Sequence, residues 1–245
     1  EGAPGAARME AYAKKQREMM EFGGARLVID IIGCKPPAPR MLVEAAIDFG
    51  IEMLDDGNAD VQADVLEYLS NGRSDQFFLN CREYLVGAEK AVVAERVQAA
   101  KGAGSFEEAY ERKQRFTMGL LERLRLFMEG HNRPMQDILR AQPENKKDFN
   151  LLGDVVDLCS TIAKDAQVLR GLPTLLLELL EKLLGFLVEA TQGPCPGNQE
   201  HIACHSLCAD VIKRIMVSPI HKPGENDTLT VAYARVMGCK LLSSI

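Results

Sequence analysis

The sequence predicts an all-α fold, an armadillo-like helical solenoid or an irregular helical bundle of about ten helices. Apolar residues recur at helical spacing along almost the whole chain, and no segment keeps the alternation of a strand. The connections are short and rich in Gly, Pro, Asn and Asp. The 245 residues, of which 47% are hydrophobic, suffice for a sizeable core.

Helix-forming residues and stop signals predict the helices of the first hundred residues. Ala, Met, Glu and Lys favour the first, and Gly23-Gly24 ends it. Pro39 suits the start of the third, and Asn58 and Ser74 suit the N-caps of the fourth and fifth. The third helix is expected to bury one apolar stripe, Leu42, Ala45, Ala46, Phe49, Met53 and Leu54. The predicted ranges are 5–22, 25–33, 40–55, 59–70 and 75–100.

The linker-like stretch 101–104 divides the chain into two expected parts, 1–104 and 105–245, of one continuous solenoid. Ser105 and Glu108 form a capping box behind it. The most apolar stretch, 175–187, contains three charged residues, so we expect a buried helix and not a membrane span. The later helices are predicted at 105–129, 134–141, 147–164, 172–191 and 199–217, with a last one running to the chain end.

Composition and motifs exclude several classes of function. A net charge of -6 argues against nucleic acid or an anionic membrane as the main partner, and the lack of Trp argues against a base-stacking platform. The seven scattered cysteines favour a reducing compartment. No phosphate loop, dinucleotide fingerprint or nucleophile elbow is present, so we expect no enzyme.

Four zinc-capable residues lie at spacings of three and four in the predicted helix 199–217: His201, Cys204, His205 and Cys208. Four ligands from one helix rarely surround one ion, because residues seven apart lie about 10 Å apart along the axis. The alternative is that the small cysteines pack inward while a histidine makes a hydrogen bond. We therefore expect Cys159, Cys204 and Cys208 to be buried, and a zinc-binding regulatory domain remains an alternative.

Two carboxylates are expected at helix C-termini, where exposed carbonyls and the helix dipole favour a cation. Glu129 ends the predicted helix 105–129, and Glu189 lies near the end of 172–191. If the two ends converge, they offer oxygen ligands to a hard cation. The same spacing is compatible with two solvated glutamates at helix ends, which is the commoner arrangement.

Three blocks carry a resemblance to a known family. They are Glu129-Gly130-His131-Asn132 with its continuation to Gln142, the block 189–199 with Gln192-Gly193-Pro194-Cys195, and the stretch 51–69. Together they resemble the cytoplasmic region of the intracellular calcium-release channels, the ryanodine and inositol trisphosphate receptors. The second block resembles the most distinctive part of the family's RIH-associated domain. Residues 105–245 would then form this domain, truncated at its C-terminal end.

The resemblance implies that Glu129 and Glu189 contribute to an activating calcium site, with His131 and Gln192 close by. In that family a backbone carbonyl from a segment beyond the pore completes the site. Calcium takes 6–8 oxygens, so this chain would supply only part of the shell. A neutral His suits so hard an ion poorly, so His131 is expected to partner a carboxylate.

The sequence therefore predicts a cytosolic regulatory segment of a ligand-gated calcium-release channel at an endoplasmic or sarcoplasmic reticulum membrane. Its expected partners are other parts of the channel, including the pore-linked C-terminal segment, within a homotetramer. We expect no membrane contact by this segment itself. The chain starts without Met and stops inside an amphipathic pattern, so we expect a piece of a larger protein. The alternative is a pore-less helical scaffold for protein–protein interaction.

Overall fold

The computed structural model describes residues 4–72, 74–101, 108–205, 208–220 and 229–245, without the side chains of residues 4–7. Within these ranges it contains thirteen α-helices, one 3-10 turn at Asp55–Gly57 and no strand, which confirms the all-α class. The helices are α1 (Pro4–Glu21), α2 (Gly24–Ile32), α3 (Arg40–Leu54), α4 (Ala59–Leu69), α5 (Asp75–Ala100), α6 (Glu108–Met128), α7 (Arg133–Arg140), α8 (Leu151–Ile162), α9 (Ala166–Arg170), α10 (Thr174–Thr191), α11 (Pro196–Cys204), α12 (Cys208–Val217) and α13 (Leu229–Ser244).

Capping side chains explain where several helices begin. The Asn58 side chain accepts hydrogen bonds from two backbone amides of α4, as predicted. Asn150 caps α8 through a 3.0 Å bond from the amide of Gly153, which is why this helix starts later than the predicted residue 147. Ser74 precedes α5, but its hydroxyl donates to the Leu69 carbonyl instead of capping. The predicted cap Ser105, and with it the boundary at residues 104 and 105, lies outside the described residues.

Two further differences concern the helix count. The predicted helix 199–217 is wrong: α11 ends at Cys204, and His205 takes an extended backbone with ψ 118°. A separate helix, α12, begins at Cys208. The short α9 was not predicted, although Asp165 caps it with a 2.8 Å bond from the Val168 amide.

The buried face of α3 differs from the predicted stripe. Leu42 is 47% and Phe49 39% exposed, so neither belongs to the core. The buried residues are Val43, Ala46, Ile47, Gly50, Met53 and Leu54. The helix is turned so that Gly50 faces α6, where the guanidinium of Arg123 fills the space that a side chain at position 50 would need.

One hydrophobic cluster runs from Ala25 in α2 to Leu241 in α13. Helices α6 and α10 lie side by side in it; α6 also packs against α3 and α5, and α10 against α8 and α13. The Leu-rich centre of α10 is buried, as predicted. Among the described residues, no helix combines the length and hydropathy that a membrane crossing requires. The division into two parts of one continuous solenoid remains a prediction.

The arrangement of α6 and α10 sets the position of the candidate site. Helix α7 follows α6, α11 follows α10, and α7 packs against α11. The C-terminal ends of the two long helices are therefore joined through the short helices that follow them.

Candidate functional site

Glu129 follows directly on α6 and is half-buried. Arg125, one helical turn earlier, forms an ion pair with its carboxylate. Gly130 and His131 then both take left-handed backbone angles, with φ 75° and 61°, and turn the chain sharply away from the helix. The carboxylate is thus held at the helix end, and its side chain is 35% exposed.

Glu189 lies in the last turn of α10 and is also half-buried. Burial raises the pKa of its carboxyl group, and the negative charge of Glu129 raises it further. Arg125 and a hydrogen bond from the backbone N–H of His131 act in the opposite direction. The charge of Glu129 acts on the Glu189 carboxyl group, so the two side chains lie within electrostatic reach of each other.

His131 and Gln192 lie at the same junction. A Cβ added to Gly193 would come within 3.0 Å of the His131 Cβ, so the loops that follow α6 and α10 touch. Gln192 is the C-cap of α10, and its amide donates to the Val188 carbonyl. His131 is exposed, whereas Gln192 is half-buried. Their roles at a calcium site remain predictions.

A buried amide that we did not predict fixes the end of α6. The side-chain nitrogen of Gln62, on α4, donates to the carbonyls of Leu126 at 2.9 Å and Glu129 at 3.0 Å. Its oxygen accepts from Asn132 at 2.9 Å. These bonds satisfy carbonyls that a helix end leaves without intrahelical partners.

Two more buried amides fix the end of α10. Gln136, on α7, donates to the carbonyls of Glu189 at 2.7 Å and Gln192 at 2.9 Å. Asn198, on α11, donates to the carbonyls of Gln136 at 3.0 Å and Ala190 at 2.9 Å, and accepts from Arg140. The sequence signal that could reveal these residues is an amide side chain at a position that the helical periodicity predicts to be buried.

The donor set fits a hard cation only in part. Two carboxylates that repel each other, beside an amide side chain, are oxygen ligands of the kind calcium prefers. In the described part of the chain, however, no group of three or more His, Cys, Asp and Glu side chains could hold a metal ion. The junction of α6 and α10 therefore offers two carboxylates, and a complete shell would need oxygens from elsewhere.

Residues 111–216 match the family model described as "RyR and IP3R Homology associated". This part of the chain is an RIH-associated domain. The resemblance to the ryanodine and inositol trisphosphate receptor family is thereby confirmed. The RIH-associated domain begins within α6 and ends within α12, so it contains both Glu129 and Glu189. Helices α1–α5 lie outside the matched residues.

The zinc-capable cluster of the RIH-associated domain does not share one helix face, because the chain breaks between α11 and α12. His201 contacts the Asn150 side chain at 2.8 Å, and His205 lies 3.7 Å from Asp157. Cys208 is buried, as predicted, and burial raises the pKa of its thiol to about 11. The predicted burial of Cys204 is wrong, because this residue lies exposed at the end of α11.

Cys159 is buried in α8, as predicted. All seven cysteines of the chain carry free thiols. Burial raises the pKa of the Cys159 thiol, so it remains protonated at neutral pH. A protonated thiol is a poor metal ligand, because metals bind the thiolate.

A substitution at Gly57 is expected to disturb Glu129 directly. Gly57 has φ 65°, and an added Cβ would lie 2.8 Å from the Glu129 Cγ. Gly130 shares the left-handed backbone, with φ 75°, but has open space around it. Gly57→Ala and Gly130→Ala should each lower the free energy of unfolding by about 1–2 kcal/mol through backbone strain. Chemical denaturation should show a larger loss for Gly57→Ala, and equal losses would contradict the Glu129 contact.

Proposed function

We propose that the chain is a cytosolic regulatory segment of an intracellular ligand-gated calcium-release channel, and that it supplies part of an activating calcium site. The observation that carries this proposal is that Glu129 and Glu189 lie at the adjacent C-terminal ends of α6 and α10, whose following loops touch. The RIH-associated domain supports the channel family, and both carboxylates lie within it.

Each residue at the junction has a separate task in this proposal. Glu129 and Glu189 supply charged oxygens, and Gln192 supplies an amide oxygen. The backbone N–H of His131 favours the ionised form of the Glu189 carboxyl group. Gln62 and Gln136 fix the two helix ends through their carbonyls. Calcium supplies the charge that relieves the repulsion between the carboxylates.

The remaining oxygens would come from the pore-linked C-terminal segment of the channel. A shell with two carboxylates is incomplete, so we expect this chain alone to bind calcium near the millimolar end of the known range. Calcium would then favour the channel state in which the two halves of the site meet, by its higher affinity for that state. This coupling would act in a homotetramer at an endoplasmic or sarcoplasmic reticulum membrane, without membrane contact by this segment.

Charge removal in the intact channel tests the proposal. Glu129→Gln and Glu189→Gln should each raise the calcium concentration for half-maximal activation about tenfold, because each removes one negative charge from the site. Both side chains are half-exposed, so folding should be kept. Glu178→Gln removes the same charge from α10 three turns earlier and is the matched control. An unchanged calcium requirement in both site variants would refute the proposed role.

A pore-less helical scaffold is the second candidate. Helices α1–α3 and the turns beside them expose large apolar side chains, among them Phe22 at 86% and Met41 at 82%. Exposed apolar residues that form one contiguous patch are typical of a protein–protein contact. Six membrane-spanning segments encoded downstream in the full-length gene would decide for the channel. The zinc-binding alternative gains no support from the described residues, where no group of three or more His, Cys, Asp and Glu side chains could hold a metal ion.

A further inference from the structure

Arg125 lies between two carboxylates on its own helix. Its Nη1 donates to Glu129, one turn ahead, while Nε and Nη2 donate to Glu122 at 3.2 and 2.9 Å. The other oxygen of Glu122 accepts from Lys182 of α10 at 3.0 Å. A chain of alternating charges therefore runs from α10 across Glu122 and Arg125 to Glu129.

The position of Arg125 also reaches α10. A Cβ added to Gly185 would lie 4.0 Å from the Arg125 Cδ, so the side chain crosses the seam between the two helices. Gly185 lies one turn before Glu189. The charge of Arg125 consequently acts on both carboxylates of the junction.

We propose that Arg125 is a built-in counter-cation that competes with calcium for Glu129 and thereby sets the calcium affinity of the site. This inference rests on the proposed function, since it concerns the same two carboxylates. A guanidinium remains charged throughout the physiological pH range, so it neutralises Glu129 whenever no metal is bound. Calcium must displace it before Glu129 can become a ligand.

Glu122 makes the displacement possible without loss of the whole ion pair. When the bond from Nη1 to Glu129 opens, the bonds from Nε and Nη2 to Glu122 can remain. The guanidinium then stays on the α6–α10 seam, and Glu129 is free to turn towards the metal. Glu122 therefore favours the calcium-bound arrangement, whereas the Glu129 pair opposes it.

Calcium titration of the 245-residue chain at fixed ionic strength tests this inference. Arg125→Gln should bind calcium about tenfold more tightly, because one positive charge leaves the site. Arg125→Lys keeps the charge and should stay close to the wild type. Glu122→Gln should weaken binding about threefold, because Arg125 then rests on Glu129 alone. Arg115→Gln is the matched control, since Arg115 pairs with Glu111 on the same helix, away from Glu129.

The outcomes separate the two proposals. If Arg125→Gln leaves the affinity unchanged while Glu129→Gln and Glu189→Gln abolish binding, the counter-cation is wrong and the calcium site stands. If neither the wild type nor Arg125→Gln binds calcium, both proposals fail. Equal tightening by Arg125→Gln and Arg115→Gln would show a general charge effect and refute a specific role for Arg125. Thermal denaturation of each variant verifies that the fold is intact.

Discussion

Replacing Asn198 with Ala is expected to lower the free energy of unfolding by about 2–4 kcal/mol. Asn198 is fully buried and uses both ends of its amide. Its nitrogen donates to the carbonyls of Gln136 and Ala190, and its oxygen accepts from Arg140. Alanine removes both donors from buried carbonyls, and Ala190 lies in the last turn of α10, where intrahelical donors run out.

Urea denaturation followed by circular dichroism measures this loss. Gln199→Ala is the matched control: Gln199 also donates to carbonyls at the end of α10, at 3.2 and 3.3 Å, but it is half-buried. Gln199→Ala should lower the free energy of unfolding by less than about 1 kcal/mol, because water can replace the amide. Equal effects of the two substitutions would contradict the central role of Asn198.

Replacing Arg123 with Met is expected to act in the opposite direction and raise the free energy of unfolding by about 1–4 kcal/mol. Arg123 is only 1% exposed, and its Nε and Nη1 find no hydrogen-bond partner among the described residues. Burial lowers the pKa of the guanidinium. Its guanidinium lies 5.1 Å from the ring centre of Phe127, which gives it a cation–π contact. Methionine keeps much of the volume and removes the buried charge.

Arg112→Met on the same helix is the control, because Arg112 is exposed and its ion pair with Glu108 lies within the helix. It should change stability by less than about 0.5 kcal/mol. A loss of stability in Arg123→Met would mean that the buried guanidinium is satisfied in solution by a group that the described residues do not include. If both results are obtained, hydrogen-bond partners, and not polarity, decide whether a buried group stabilises this fold.

The sequence predicted the helices well wherever apolar periodicity and end signals agreed. The ranges for α2, α4, α5 and α10 are right to within about two residues, which is the usual ambiguity of helix ends. The break between α11 and α12 was missed because His205 carries no Gly or Pro signal. The face of α3 was misread because Gly50 adds nothing to an apolar pattern, yet it admits Arg123.

The candidate site was predictable in its parts but not in its assembly. Helix-end positions for Glu129 and Glu189 followed from the helical pattern. Their convergence depends on how α6 packs against α10, which no local sequence signal encodes. It was expected because of the family resemblance. The buried amides Gln62, Gln136 and Asn198 were overlooked because polar residues normally predict exposure. Their tertiary partners, the free carbonyls of helix ends, become visible only in the fold.

The most direct test of the account is a calcium titration of this chain followed by NMR. The backbone amide of His131 is the reporter, because it lies close enough to the Glu189 carboxyl group to lower the pKa of that group. We predict a saturable shift of this amide with a dissociation constant near the millimolar range, and its loss in both Glu129→Gln and Glu189→Gln. A shift that survives in either variant, or none in the wild type up to tens of millimolar calcium, would contradict a cation shared by the two carboxylates.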